Sequence, residues 1–272
     1  MIADAGTSAL IERACASRVY DLAQPFQNGM PQSPNHPRFH LALARRHGDR
    51  LREGGGSAAA EILVVGGHVG THVDALCHVS QDGLLHGGVD AYEAQRGGRF
   101  STLGIDTVAP FVARGVLLDV AGLLGVDVLP GGTAITAGQL EAAAERARVR
   151  PRSGDVVLVR TGWARNWDDA DAFVGVASGV PGPGEDAAAW LATHGIRATG
   201  ADTIAYEALA PGAGHAHLPV HRVLLVEHGI HIIETLQLEE LARDGVDEFL
   251  FVAAPLKIVG GTGSPLRPLA LV

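Results

Sequence analysis

The chain has 272 residues, 47% of them hydrophobic and 19% charged, and carries a formal net charge of -9. That composition belongs to a globular protein with a substantial core and not to a disordered one, and the acidic balance excludes a nucleic-acid partner held by charge. No apolar run approaches the roughly 20 residues that cross a bilayer, Asp4, Glu12 and Arg13 stand where a signal peptide would be apolar, and two cysteines, Cys15 and Cys77, fit a reducing cytoplasm.

Taken in order, residues 1–18 read as a short helix or arm, SALIERACAS, and Val19–Leu22 as a short strand. Pro25, Pro31, Pro34 and Pro37 then remove backbone donors and fix φ, which predicts an irregular loop that covers a pocket. PRFHLALARR and EILVV read as strands joined by a glycine-rich turn.

Residues 66–80, GGHVGTHVDALCHVS, follow. On an extended chain, alternation puts His68, His72, Asp74 and His78 on one face and Val69, Val73 and Val79 on the other. Gly66, Gly67 and Gly70 make a helix poor here, and Gly70 would let the backbone approach a metal or substrate. Imidazoles and a carboxylate at this density are costly to pack unless a cation or a reaction uses them. Histidine nitrogens with a carboxylate oxygen suit zinc, manganese or iron and leave positions open for water. Cys77 falls on the apolar face and reads as a small core residue, with a thiolate nucleophile as the alternative.

Downstream, helices and strands alternate. STLGIDTVAP reads as a turn or short helix, GVLLDVAG as a buried strand, and TAITAGQLEAAAERARV as a helix capped by Thr136, with Leu140 and Ala144 on one face and Pro151 beyond its end. GDVVLVRTGW is apolar on both faces and belongs to a sheet covered on both sides. A helix closed by Gly195, the strand IRATGAD, a helix PVHRVLLVEHG closed by Gly229 and the strand-then-helix IHIIETLQLEELA follow; the chain ends in two strands around GGTGSP. The alternation predicts one α/β domain, residues 1–272, with a mixed sheet. His221 at the head of the third helix and Glu234 at the end of IHIIE are two further candidates, since Gly229 turns the chain back between them; His215, His217, His228 and His231 compete with them. His36, His40, His47 and His86 read as surface or loop residues.

His68 to His78, H-V-G-T-H-V-D-A-L-C-H, resembles the H-x-G-T-H-x-D-A-x-x-H signature of the metal-dependent cyclase superfamily, which includes bacterial kynurenine formamidases and isatin hydrolases. DLAQP, GDVVLVRTGW, HRVLLVEHGIHIIETLQLEELA and GTGSPLRP look like family segments in the family's order. The resemblance implies a swivelling β/β/α fold, a barrel-like mixed sheet with helices outside, in a homodimer or homotetramer. It implies one or two divalent ions, zinc or manganese: His68, His72 and Asp74 match ligands of the first ion, His221 a ligand of the second, and Asp74 and Glu234 the bridging carboxylates. His78 matches the catalytic histidine. The implied activity is hydrolysis of an amide, formamide or lactam bond in a small molecule, with Thr71 helping to position the carbonyl. Lactone hydrolysis, dehydration or ring closure on the same metal site is the alternative, and a non-catalytic metal or ligand-binding protein is another. The chain departs from the kynurenine formamidases at Ser33, before Pro34, where they carry a tryptophan against the substrate; Phe26, Phe39 or a neighbouring subunit is left to supply that surface.

Overall fold

Every residue of strand Val156–Arg160 is buried, and its side chains divide by parity between two cores: Val156 and Leu158 enter one, Val157 and Val159 the other. This strand is central to a nine-stranded sheet in the computed structural model, which describes residues 5–272. Across the sheet the strands run Val19–Asp21, Leu269–Leu271, Glu248–Ala253, Phe111–Asp119, Val156–Arg160, Ala198–Ala201, His231–Glu234, His72–Asp74 and Gly263–Pro265. The four from Phe111–Asp119 to His231–Glu234 are parallel, and every other pairing within this sheet is antiparallel. The architecture is a mixed α/β fold in which a curled half-barrel sheet is surrounded by helices.

The curl follows from chain connectivity. Gly263–Pro265 forms one edge and Leu269–Leu271 is second from the other, yet only residues 266–268 lie between them, a span of roughly 3.5 Å per residue. The two margins must therefore approach each other, and a bridge between Ala23 and Leu236 ties them.

Helices cover one face. Ala137–Ala147 buries Leu140, Ala143 and Ala144 against Val116, Leu118 and Val157, beside Leu191 of helix Glu185–Thr193 and Leu224 of the helix that follows His221. The opposite face gathers Phe111, Leu117, Leu158, Ile233, Phe249 and Phe251, with Leu238 and Leu241. Cys77 lies in this second core beside Val73, as alternation predicts.

Several boundaries differ from the sequence reading. The strand expected at GVLLDVAG starts earlier, at Phe111, and ends at Asp119, whose carboxylate accepts from Gly122 N (2.9 Å) and turns Val120–Leu123 into a helical turn. The helix after Leu218 opens as one α-turn, Pro219–His221, and widens into π-helical turns over Arg222–Glu227 before Gly229 at φ +66°. GGTGSP is not only a turn, because Gly263–Pro265 pairs with His72–Asp74. The arm at the start is helix Ala5–Ala16; Met1 to Asp4 fall outside the described residues. The proline segment is a loop that buries Met30, Ser33 and Phe39. Among the described residues, no helix is long and apolar enough to cross a membrane.

Thr136 Oγ1 accepts from Gln139 N (3.3 Å) while Gln139 Oε1 accepts from Thr136 N (2.9 Å), a reciprocal cap for helix Ala137–Ala147. Thr136→Ala should lower stability by about 1 kcal/mol, read from the denaturant midpoint.

Candidate metal centre

Strand His72–Asp74 lies between His231–Glu234 and Gly263–Pro265, with His72 opposite both Glu234 and Pro265 and Asp74 opposite Gly263. Directly paired residues share a face, so register alone brings His72 against Glu234. Extended alternation ends at Asp74: His78 N donates to Ala75 O (3.0 Å), a turn that swings His78 back beside His68. The two rings stack at 3.7 Å between centroids. The same turn puts Val79 on the cavity wall, where alternation had placed it on the far side. A Cβ at Gly263 would come within 2.6 Å of the His68 ring, so glycine makes room for that imidazole. Gly70, at φ +63°, leaves room for Phe26: a Cβ there would lie 2.5 Å from the Phe26 ring.

His68, His72, Asp74, His78, His221 and Glu234 come together around one buried point. His72 Nδ1 donates to Gly70 O (2.7 Å) and His221 Nδ1 to Glu207 Oε1 (2.6 Å), leaving each Nε2 lone pair to face the carboxylates. His72 Nε2 lies 3.5 Å from both Asp74 Oδ1 and Glu234 Oε2; His221 Nε2 lies 3.2 Å from Glu234 Oε1 and 3.6 Å from Asp74 Oδ2. Most of these separations are too long for good hydrogen bonds, but two ligands each about 2.1 Å from one tetrahedral ion sit about 3.4 Å apart. Asp74 Oδ2 is buried with no hydrogen-bond partner, which is costly unless a cation meets it.

Asp74 belongs to two sets whose ligand atoms all lie within 4.8 Å of one another, His68–Asp74–His78 and His72–Asp74–Glu234. The geometry thus puts His72 with Glu234 and His221, where the resemblance groups it with His68. His68 Nδ1 lies 2.7 Å from Asp74 Oδ1, and its Nε2 lies 2.9 Å from Thr262 Oγ1.

Electrostatics divide the histidines. Burial pulls the His72 and His221 rings toward neutrality, but Asp74 and Glu234 at the first and Glu207 and Glu234 at the second outweigh it, pushing them up to about 9 and about 10. Burial likewise favours a neutral Asp74, yet the surrounding imidazoles and the close contact from His68 hold its carboxyl well below the usual range. His78 goes the other way: burial, reinforced by neighbouring imidazoles against the pull of Asp74, holds it down at about 3. Burial thus keeps His78 neutral. His36 is held at about 4, and His215 is lowered too, by burial first in both cases.

A cavity of about 190 Å³ opens on this point, walled by His36, His68, His72, His78, His215 and His221 with Glu234 and, on the less polar side, Val79, Ile204, Ala205 and Leu218. His36 is therefore a wall residue, not a surface one. His215 accompanies it, whereas His217 and His228 are exposed and His231 packs behind, its Nδ1 donating to Asp74 O (2.9 Å). Phe26, Ser33 and Thr71 do not line the cavity. Phe26 packs edge-on to Phe39. Ser33 Oγ reaches His215 Nδ1 at 3.0 Å from behind. Thr71 Oγ1 is taken up, donating to Thr235 O (2.6 Å) and accepting from Gln24 N (2.8 Å). Cys77 is buried and does not line the cavity, and burial pushes its thiol up to about 11, which favours the core reading.

Glu207 was not visible from sequence. A lone glutamate in IAYEALAP has neither periodicity nor a motif to mark it, yet its carboxylate accepts from His221 Nδ1 and from Val220 N (3.1 Å) and His221 N (2.9 Å), fixing the ring and the helix start together.

Residues 20–208 match the model of the family "Putative cyclase". The chain is 29% identical over 218 residues to isatin hydrolase of Roseibium aggregatum, covering 77% of this chain and 73% of that one. It is 26% identical over 247 residues to kynurenine formamidase of Bacillus cereus, covering 91% and 94%. A crystal structure described as a novel cyclase superposes with a TM-score of 0.86 at 29% identity, covering 97% of this chain and 90% of that one.

Two outcomes test the centre. Glu207→Gln, which weakens the hold on His221, should reduce divalent-metal affinity by about 10–100-fold, measured by competition with a chromogenic chelator. In chelator-treated protein, His72 and His221 stand above their ordinary 6.5, so their contribution to stability is full below that pH and is lost as pH rises through about 9 to 10. Metal-loaded protein should show the opposite trend over the range where protons compete with the ion; denaturant midpoints at stepped pH check both.

Proposed function

This chain belongs to the cyclase family, and from that premise we propose that it is a metal-dependent hydrolase opening an amide, formamide or lactam C–N bond in a small molecule. The observation that carries the reading is Asp74: a buried carboxylate shared by two ligand sets, with one oxygen lacking any partner in the protein. The names of the two relatives support hydrolysis of a C–N bond.

His68, His72, Asp74, His221 and Glu234 would hold one or two divalent ions, zinc or manganese, which would supply a Lewis acid for the carbonyl and acidify water. The protein does the rest. His72 and His221 are locked by Gly70 O and Glu207, so their Nε2 atoms need no reorganisation. His78 makes no side-chain hydrogen bond among the described residues, stacks on His68 and opens on the cavity. From its place on the cavity wall it takes a proton from the attacking water and returns it to the departing nitrogen. Val79, Ile204 and Leu218 form an apolar wall for the substrate body, and Asn35 and His215 offer hydrogen bonds near the cavity rim. A cavity of about 190 Å³ suits a compact, ring-sized substrate. We place the enzyme in the cytoplasm, in keeping with its two unpaired cysteines.

Elemental analysis combined with hydrolysis assays on N-formyl and cyclic amides, with and without chelator, tests the assignment: the protein should carry stoichiometric metal and lose turnover on chelation. Turnover that survives full metal removal would sink it. His78→Ala should retain its metal and lose about 10²-fold or more in kcat. A metal-loaded protein that turns over lactones or hydroxy acids but no amide would shift the reading to the alternative reaction on the same carbonyl.

A further inference from the structure

The edge strands Val19–Asp21 and Gly263–Pro265 do not pair with each other, and where these two margins approach, a cleft of about 720 Å³ is lined by residues from 21–26 and 254–267. That volume is in the range of small-molecule sites, roughly 300–1,000 Å³. The cleft shares no lining residue with the metal cavity. It backs instead on the strand that carries His72: Pro265 is opposite His72 in the sheet, Leu266 N donates to Thr71 O (2.9 Å), and the Phe26 ring lies against Gly70.

The walls of the cleft are fixed. Gln24 N donates to Thr71 Oγ1 (2.8 Å), Leu256 N donates to Ser264 Oγ (2.8 Å), and Pro25 and Pro265 restrict the backbone. Pro25, Phe26, Leu256 and Leu266 make the lining largely apolar, and Leu256 is left 56% exposed. The two charged side chains on the lining neutralise each other, since Arg267 donates through Nε (2.9 Å) and Nη2 (2.6 Å) to Asp21 Oδ2. Gln24 is different. It lines the cleft and is only 4% exposed, yet its Nε2 is buried and meets no acceptor among the described residues. A buried amide donor without a partner is costly, and a leucine of nearly the same size would avoid that cost. The terminal torsion of glutamine is broad and roughly two-fold, so a small turn of the amide presents its nitrogen to an acceptor in the cleft.

We propose that this cleft is a second small-molecule site, separate from the metal centre, which takes a neutral, mostly apolar compound whose single carbonyl oxygen accepts from the Gln24 amide while its body lies between Phe26, Leu256 and Leu266. The balanced charge of Asp21 and Arg267 selects against an ionised ligand, and the one unmet donor calls for one acceptor. The inference does not rest on the hydrolase reading, since the cleft is complete without a metal and can be filled with or without turnover.

Methyl-detected nuclear magnetic resonance of the full, leucine-labelled chain tests it, with propiophenone as the neutral carbonyl probe and benzoate as its charged counterpart. Propiophenone should shift the methyls of Leu256 and Leu266 saturably and leave Leu218, on the metal cavity, in place; benzoate should leave Leu256 and Leu266 unmoved. Gln24→Leu should weaken propiophenone binding by about tenfold, the worth of one hydrogen bond, with a denaturant midpoint equal to or above that of wild type. Ala254→Trp, which fills the cleft from an exposed position, should abolish binding and keeps the test decisive if the glutamine variant does not fold. Shifts at Leu218 alone, wild-type affinity in either variant, or a lowered midpoint in Gln24→Leu would overturn the proposal. So would Leu256 and Leu266 shifts that follow protein concentration and not the ketone, the mark of a second copy lying over the cleft.

Discussion

The structure depends on one constraint: Asp74 is a carboxylate with no exposed surface, surrounded by imidazoles and left with an oxygen that no protein donor meets. An ion in that position must be compensated, and the protein distributes the compensation over three strands and a helix. His72 reaches it through cross-strand register, His221 from a helix start pinned by Glu207, and His68 from a turn that only a glycine at position 263 can accommodate. The fold thus sustains a concentration of negative charge that attracts a cation, with a proton as the fallback occupant on His72 and His221.

The location of that point follows from the sheet. His231–Glu234 is parallel to Ala198–Ala201 on one side and antiparallel to His72–Asp74 on the other, so the centre lies at the seam where strand direction reverses. Ile204 and Ala205 at the start of the connection from Ala198–Ala201 to His231–Glu234, and Leu218 and His221 further along that same connection, supply the wall opposite the 68–78 turn.

How much of this could be read from residues alone depends on how local each cause is. The buried strand at 156–160 and the cap at Thr136 were legible because alternation and capping act within a few residues. So was the burial of Cys77. The ligand cluster was legible through its density and through the family signature. What sequence could not show has a non-local cause. His78 leaves the face of Asp74 because of a turn at 75–78, and Gly263–Pro265 is a strand only because His72–Asp74 needs a second neighbour. Glu207 and Thr262 matter through single side chains that touch the site from 14 and 194 residues away in the chain. Phe26 was expected at the substrate, but it fills the space above Gly70, where a close contact between ring and backbone gives no sign in composition.

The distance along the chain between the contributors has a consequence for biosynthesis. His68 to His78 emerge from the ribosome well before His221 and Glu234, and they meet them through pairings between distant stretches of the chain. Contacts of such wide separation form late. A nascent chain that has made only the first half of the centre holds its histidines and Asp74 without the glutamate that completes the set, so firm capture of an ion waits until the whole chain is in place. On the proposed function, acquisition of metal would then act as a check on maturation: a molecule that retained its ion would, by that fact, have finished folding.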